Sequence, residues 1–159
     1  MNGLLWNVLL ALAWAAVTGS FAPTSLVIGF ALGFALLLFT QRAVGAPTYG
    51  RRVGRAVMLL LYFLWELTLA NLRVAYDVLT PRHHMRPGVV AIPLDARSDG
   101  EITLLASMIT LTPGSFALDV SANRRTLYVH AMYIDGGDLD LFRRRLKHGF
   151  ERRLLEVTR

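Results

Sequence analysis

Five polar side chains recur on one face of a segment that is otherwise apolar. Arg55, Tyr62, Glu66, Arg73 and Asp77 are separated by seven or four residues, so they share one face if the segment is a helix. Ionisable residues in a membrane segment are costly and usually face protein or a water-filled cavity. Glu66 is therefore a candidate for binding a cation or a proton on an ion path. A lone carboxylate makes no proton relay, however, and the stripe as a whole favours contact with a partner protein.

Outside this stripe the sequence shows no catalytic constellation. His83, His84, His130 and His148 form none of the patterns HxH, HxxxH or HExxH, so we expect no metal site and no other cofactor. Cysteine is absent, and no serine lies in a Gly-x-Ser-x-Gly setting. The basic residues 143–145 lack interleaved aromatic residues of the stacking kind, so we expect no nucleic-acid partner. The sequence favours a protein that is not an enzyme.

The N-terminal elements, which precede the segment with the polar stripe, are apolar. No Asp, Glu, Lys or Arg occurs between Met1 and Gln41. Because about 20 apolar residues cross a bilayer, this stretch can form two crossings, at roughly residues 4–18 and 25–40. A signal peptide would need a basic start and one short apolar core, and a buried soluble hairpin would need more protein around it. Gly29 and Gly33, four residues apart, predict a face for close helix packing.

A third apolar segment, at roughly residues 55–79, carries the polar stripe. Arginines flank it on both sides: Arg42, Arg51, Arg52 and Arg55 before it, and Arg82 and Arg86 after it. The positive-inside rule draws both flanks toward the cytoplasm, yet one full crossing would separate them. Either the loop at 41–55 lies outside despite its arginines, or one segment does not cross. The number of crossings, two or three, stays open.

The remaining residues predict a small α+β domain in the order β-α-β-β-α. A strand is expected at Val89–Leu94, a helix from an N-cap at Asp99 to just before Pro113, and strands at residues 116–120 and 126–130. After Gly136-Gly137 a last amphipathic helix begins at Leu139. This order suits a small sheet with helices on one side.

The charge is divided between unlike parts of the chain. Overall 54% of residues are hydrophobic, 18% are charged, and the formal net charge is +6. Residues 1–80 hold five arginines and two acids, whereas residues 81–159 hold twelve basic and nine acidic residues. We therefore predict a membrane protein with an α-helical transmembrane region at 1–80 and a cytoplasmic α+β domain at 81–159. The basic excess is attributed to arginines beside membrane helices and to a helix that faces headgroups or a partner protein.

Four phrases of the sequence, in this order after the apolar hairpin, are specific enough to indicate a family. They are Ala70-Asn71-Leu72-Arg73-Val74-Ala75-Tyr76-Asp77-Val78-Leu79, Arg86-Pro87-Gly88-Val89-Val90-Ala91-Ile92-Pro93-Leu94, Ile102-Thr103-Leu104-Leu105-Ala106-Ser107-Met108-Ile109-Thr110-Leu111-Thr112-Pro113-Gly114-Ser115 and Leu127-Tyr128-Val129-His130-Ala131. From about Leu4 to Ile134 the chain resembles the E-type subunit of the Mrp-type multisubunit Na⁺/H⁺ antiporters. The phrase Thr-Leu-Thr-Pro-Gly is the most specific part of this resemblance.

The resemblance implies an accessory subunit of a bacterial inner-membrane complex that exchanges Na⁺ for H⁺. In such a complex the large subunits carry the ion paths, and the E-type subunit supports assembly or full activity, with its C-terminal domain in the cytoplasm. The implied partners are the other subunits and membrane lipid, with Na⁺ and H⁺ transported at the level of the complex. Two alternatives stay open: an ion path through Glu66 of this chain, and a membrane-bound enzyme of unknown reaction.

Two groups of residues are candidates for the subunit interface. The first is the third segment's stripe with one further polar residue: Arg55, Glu66, Asn71, Arg73 and Asp77. The second is the corner Thr110, Thr112, Pro113 and Gly114. Pro113 must end a helix because it lacks an N–H, Gly114 permits a turn, and the threonine hydroxyls can satisfy the freed carbonyls. We expect this corner to fix how the domain packs on its neighbours, or to serve folding alone.

Overall fold

The computed structural model describes residues 3–44, 48–81, 85–134 and 138–159, and the side chains of these except 41–44 and 48–49. The side chain of Arg42, all of Arg82 and His83-His84, and the Gly136-Gly137 break lie outside this description. By its packing the chain divides into two units, Met1–Gly54 and Arg55–Arg159. This division lies far from the predicted 80/81 boundary, because the third segment packs on the α+β domain from Arg55 onward. Where the membrane ends along the chain stays a prediction.

The first unit contains the apolar hairpin. Helix α1 spans Gly3–Thr18 and helix α2 spans Pro23–Val44. Gly19, with φ of +65°, ends α1 in the left-handed region that glycine adopts without strain. The chain then restarts at Pro23, whose missing N–H costs nothing in the first turn of a helix. The two helices pack against each other, with Ala11 and Ala15 of α1 buried.

Helix α3 is the longest element and spans Thr48–Leu79. It begins seven residues before the predicted start, since the helix continues through the arginines at 51 and 52 that had been assigned to a flanking loop. By length and composition, two helices of the described chain could cross a membrane, through the windows Pro23–Thr40 and Gly50–Leu79. Helix α1 is apolar but shorter.

The α+β domain follows in the predicted order. Strand β1 is Gly88–Pro93, helix α4 is Asp99–Leu111, β2 is Ser115–Val120 and β3 is Thr126–Ala131. The three strands form an antiparallel sheet in the order β1-β3-β2. Its register pairs Val90 with Val129, and Ala117 with Val129 from the other side. A register shift interrupts the β2–β3 pairing between Ala117 and Asp119. The predicted fold class, apolar helices followed by a small α+β domain, is confirmed.

The C-terminal helical region closes the core on one face of the sheet. It consists of α5 at Leu139–Leu146, one π-helical segment at Lys147–Glu151 and α6 at Arg152–Thr158. Side chains of β1, β3, α4 and this region form a single apolar cluster that also includes Leu59 of α3. Its buried members are Leu59, Val90, Ile92, Leu105, Met108, Ile109, Leu127, Val129, Ala131, Ile134, Leu146, Phe150 and Leu154. The sheet's other face exposes Val89, Phe116 and Tyr128.

Helix α4 begins one residue earlier than predicted. Its N-cap is Ser98, whose hydroxyl accepts from the backbone N–H of Glu101 at 3.2 Å, while the Glu101 carboxylate accepts from the N–H of Ser98. The assignment of the cap to Asp99 is therefore wrong. Ser98 and Glu101 form a reciprocal capping box, which satisfies two backbone donors at once, whereas Asp99 could satisfy only one.

Candidate functional site

The polar stripe of α3 faces the α+β domain of the same chain. The Arg55 guanidinium donates to the backbone carbonyl of Glu156 at 2.8 Å. One turn beyond the buried Leu59, the ring of Tyr62 packs edge-on against Phe150 with 5.3 Å between centroids. The guanidinium of Arg153 lies 3.9 Å from the centroid of the Tyr62 ring. The first half of the stripe is thus a packing surface for the C-terminal helices.

Glu66 lies in the wall of a cavity of about 380 Å³ inside this unit. The Tyr62 hydroxyl, one helical turn earlier, is hydrogen-bonded to its carboxylate. Arg73 and Arg145 line the same cavity, so the carboxylate shares it with two guanidinium groups. The full lining is Tyr62, Glu66, Leu69, Ala70, Arg73, Ile109, Thr112, Pro113, Gly114, Ser115, Tyr133, Phe142, Arg145, Leu146 and Phe150.

The second half of the stripe meets the segment after β3. The guanidinium of Arg73 lies 5.3 Å from the centroid of the Tyr133 ring, a cation–π distance. Asp77, one turn further along α3, is 2% exposed. Burial of the Tyr133 hydroxyl and the neighbouring Asp77 carboxylate raise the pKa of Tyr133 above its usual range. Tyr133 therefore stays protonated at neutral pH, with its buried hydroxyl near the Asp77 carboxylate.

The corner after α4 forms the opposite wall of the cavity. The hydroxyl of Thr112 donates to the carbonyl of Met108 at 2.9 Å, and that of Ser115 donates to the carbonyl of Ile109 at 2.8 Å. These bonds satisfy carbonyls that the helix leaves free where it stops before Pro113. Gly114 has φ of +86°, and a Cβ there would lie 3.1 Å from the Tyr133 ring. Glycine is needed for both reasons.

Thr110 has a different role in the corner. Its hydroxyl accepts from the backbone N–H of Ala117 at 3.2 Å, and so joins α4 to β2. The fold thus brings Glu66 and Arg73 of α3 into one cavity with Thr112, Pro113 and Gly114. Sequence reasoning missed Tyr133 and Arg145 as members of this site. Nothing in their local spacing links them to α3, since Tyr133 follows a strand and Arg145 belongs to a basic run.

The other predicted residues lie elsewhere. Asn71 is exposed on the far side of α3, and its amide donates to the carbonyl of Leu67 at 2.7 Å. Gly29 and Gly33 lie where α2 packs on α1 in the first unit. A Cβ at Gly29 would lie 2.9 Å from the Cβ of Trp14, and one at Gly33 would lie 2.5 Å from Oδ1 of Asn7. Close approach of the two backbones therefore requires glycine at both positions.

Two buried carboxylates of the α+β domain hold the loop between β1 and α4. Glu151 accepts from the backbone N–H groups of Asp95 and Ala96 at 2.6 and 2.9 Å. Glu101 accepts from the N–H of Arg97 at 3.0 Å and from the hydroxyl of Thr158 at 2.8 Å. The bond from Arg97, with the others to this carboxylate, lowers the pKa of Glu101 to about 2. Both carboxylates therefore act as backbone clamps.

The geometry of the cavity suits recognition more than bond-making chemistry. Within the described ranges 3–44, 48–81, 85–134 and 138–159, no three His, Asp or Glu side chains group as metal ligands would. The cavity instead presents one carboxylate, two guanidinium groups, hydroxyls and apolar side chains. Such a lining can hold a polar group of a neighbouring molecule, or place Glu66 in a fixed electrostatic setting.

The comparisons with known proteins agree on one family. A family model described as a Na⁺/H⁺ ion antiporter subunit matches residues 7–157. The chain is 35% identical over 156 residues to the E-type Na⁺/H⁺ antiporter subunit of Alkalihalophilus pseudofirmus, covering 98% of both chains. It has the same identity and coverage with the E-type subunit of Bacillus subtilis. These relatives are named as antiporter subunits, and they confirm the resemblance drawn from the four sequence phrases.

Two solved structures share the fold. A chain of the Mrp complex from a Dietzia species is 34% identical, with a TM-score of 0.50 over 66% of this chain and 96% of that chain. A chain of the membrane-bound sulfane sulfur reductase, an archaeal respiratory membrane complex, is 31% identical, with a TM-score of 0.52 over 84% of both chains. The chain therefore belongs to the family of E-type Na⁺/H⁺ antiporter subunits, which are membrane proteins.

Proposed function

We propose that this chain is an accessory, assembly-supporting subunit of a multisubunit Na⁺/H⁺ antiporter and does not carry its main ion path. The observation on which this depends most is the setting of Glu66. It is the only acid of the sequence before Asp77, and it lies in the wall of a cavity that Tyr62, Arg73 and Arg145 also line. A path for Na⁺ or H⁺ needs successive exchangeable sites across the membrane. A carboxylate that shares a single cavity with two guanidinium groups is instead suited to bind a polar group of a neighbouring protein.

The two structural neighbours support an assembly role. One belongs to an Mrp complex and the other to a sulfane sulfur reductase. The same subunit fold occurs in two membrane complexes of different chemistry. This favours a structural role of the fold in assembly over a role in sodium transport. We therefore assign the other subunits of the complex as the partners of this chain, with Na⁺ and H⁺ as ions of the whole assembly. This role requires no enzymatic activity of the chain itself.

The orientation follows from the charges. The twelve basic and nine acidic residues beyond position 80 make translocation of the α+β domain costly, and basic residues near membrane segments favour the cytoplasmic side. We therefore place the C-terminal domain in the cytoplasm of a bacterial cell, attached to the inner membrane by the α1–α2 hairpin. Residues on the cavity wall can then be reached by a cytoplasmic loop of a neighbouring subunit.

We assign the cavity between α3 and the α4 corner as the docking site for such a neighbour. The same residues that were interface candidates by sequence, Glu66, Arg73, Thr112, Pro113 and Gly114, line it together. Its lining is rich in aromatic residues and arginine, the residue types that are enriched in protein interfaces. Arg55 and Asp77 support it from both ends of the stripe by holding α3 on the domain.

The test is to fill the cavity with a larger side chain. Thr112→Tyr places a large side chain in the wall, and Ser107→Tyr, on the exposed side of the same helix, is the matched control. We expect Thr112→Tyr to lower the amount of assembled complex on native gels by roughly tenfold, a loss of about 1.4 kcal/mol in association. The chain itself should remain in the membrane at its normal level. Full assembly of Thr112→Tyr with normal Na⁺ resistance would contradict the docking site.

A further inference from the structure

Helix α3 passes as a membrane span by composition, yet its packing is incompatible with a crossing. We infer that α3 does not traverse the bilayer but lies along the cytoplasmic membrane surface, with its exposed apolar face in the interface and the α+β domain on its other face. The occupant of that apolar face is thus membrane lipid. The α1–α2 hairpin would then supply the only crossings among the described helices.

The length of α3 that the domain covers is the first part of the argument. Contacts run from Arg55, which donates to the Glu156 carbonyl, through Leu59 and Tyr62 to Asp77, which is buried. At 1.5 Å per residue this stretch is about 33 Å long. The hydrocarbon core of a bilayer is about 30 Å thick, so the covered stretch is as long as a full crossing. No tilt or shift of α3 could place its apolar length in the bilayer and leave the domain outside.

The domain cannot accompany α3 into the hydrocarbon. Its helices carry exposed ion pairs, such as Arg143 with Asp140 at 2.9 Å and Arg152 with Glu156 at 3.0 Å. Its three-stranded sheet is open, so that within the described part of the chain β1 and β2 each have an edge without a neighbouring strand. Charged side chains and unpaired strand edges are excluded from lipid-exposed positions in the membrane core, because nothing there can solvate them.

The side of α3 that the domain leaves exposed has the pattern of an interfacial helix. Met58, Leu61, Trp65, Leu72 and Leu79 recur at helical spacing, and each is more than half exposed. Two polar groups on this side, those of Thr68 and Asn71, donate to carbonyls of α3 itself, which reduces their need for water. An apolar stripe with aromatic residues, opposite a polar one, is typical of helices that lie in the headgroup region.

Charge and chain continuity favour lipid over a protein partner as the occupant. Arg51 and Arg52 are exposed at the start of α3, where they suit anionic headgroups. Helix α2 ends at Val44 and α3 begins at Thr48, so the link between them can span at most about 14 Å. The start of α3 is therefore held at the membrane surface. A surface position also puts residues 41–55 and 82–86 on the same side, as their arginines require.

The test uses the lack of cysteine in the chain. Single variants Met58→Cys, Leu61→Cys, Leu72→Cys and Leu79→Cys are spin-labelled in the purified complex, in vesicles of phosphatidylethanolamine and phosphatidylglycerol. The collision rates of each spin label with oxygen and with a water-soluble nickel complex report the depth of that label in the bilayer. We expect the four labels to share one shallow depth, about 5–10 Å below the headgroup boundary. Ala122→Cys, in the exposed β2–β3 loop, is the water control.

Two results would overturn the inference. A crossing helix would give a profile in which Met58 and Leu79 are shallow, with Leu72 nearer the bilayer centre. Labels shielded from both reagents would show a protein partner on this face. An independent measurement is labelling of Gly54→Cys and Thr80→Cys with a membrane-impermeant maleimide. Both should react in inside-out vesicles and neither in intact cells, whereas reaction from opposite sides would show a crossing.

Discussion

At the scale of single residues, the buried carboxylates of the α+β domain hold backbone rather than ions. The Ser-x-x-Glu pattern of Ser98 and Glu101 is visible in the sequence and is a known helix start. The adjacent Asp99 is an equally good cap by residue type, so the position of the cap could not be decided without the geometry. The bonds from Thr158 and Arg97 to Glu101 could not be foreseen, because they join residues distant in sequence or depend on a loop conformation.

Replacing Glu101 with Gln should make the stability of the chain less dependent on pH. Because the folded pKa of Glu101, about 2, is below its ordinary value of 4.5, its stabilising effect is complete above about pH 4.5 and is lost as the pH falls through 2. We expect Glu101→Gln to cost about 2 kcal/mol at pH 7, as for hydrogen bonds to a charged group. Urea unfolding of the full chain in detergent at pH 7, 4 and 3 measures this. A difference between variant and wild type that widens as the pH falls would contradict the assignment.

Arg153 should matter more than its neighbour Arg152. Arg153 covers the Tyr62 ring and also donates to the carbonyls of His148 and Gly149 at 3.1 and 3.0 Å. Arg152 is exposed and pairs only with Glu156 in the described contacts. We expect Arg153→Ala to destabilise the C-terminal helices by about 1–2 kcal/mol and Arg152→Ala by less than about 0.5 kcal/mol. Hydrogen exchange over residues 147–159 in the complex compares them, and equal protection in both variants would refute the role of Arg153.

At the scale of elements, hydrophobic period and turn chemistry predicted every strand and nearly every helix. Strands β1 to β3 were expected within one residue of their bounds, because Gly and Pro punctuate them clearly. The start of α3 was predicted too late, because Arg51 and Arg52 were assigned to a loop that flanks the helix. The π-helical segment Lys147–Glu151 leaves no mark in the sequence pattern. It places Phe150 and Gly149 against Tyr62 of α3, a contact between residues that are distant in sequence.

The α1–α2 hairpin should be sensitive to single methyl groups. Gly33→Ala places a Cβ 2.5 Å from Oδ1 of Asn7, and we expect this to cost about 1–3 kcal/mol through overpacking. Gly54→Ala is the matched control, because a Cβ at Gly54 meets nothing within 4 Å. It should be neutral or slightly stabilising. Thermal unfolding of the two variants in the same detergent checks the difference, and equal midpoints would show that Gly33 is not a packing position.

At the scale of the whole molecule, the sequence identified the stripe on α3 but not what it contacts. The polar side chains of such a stripe need a partner. The spacing of residues alone does not show whether that partner is a neighbouring protein, lipid or another part of the same chain. The structure places the chain's own α+β domain on it, from Arg55 to Asp77. The same packing explains why the compact C-terminal unit begins at Arg55 and includes most of α3. The cavity formed there, with Glu66 in its wall, is what a neighbouring subunit could reach.

The most direct test of the accessory role is Na⁺/H⁺ exchange per assembled complex in the Glu66→Gln variant. Inside-out vesicles from cells that carry only the variant chain are assayed for Na⁺-induced proton flux, and the flux is divided by the amount of complex on native gels. If Glu66 serves the docking surface, any loss of flux will match the loss of complex, so that exchange per complex is unchanged. A fully assembled complex that no longer exchanges Na⁺ for H⁺ would place Glu66 on the ion path and contradict the account.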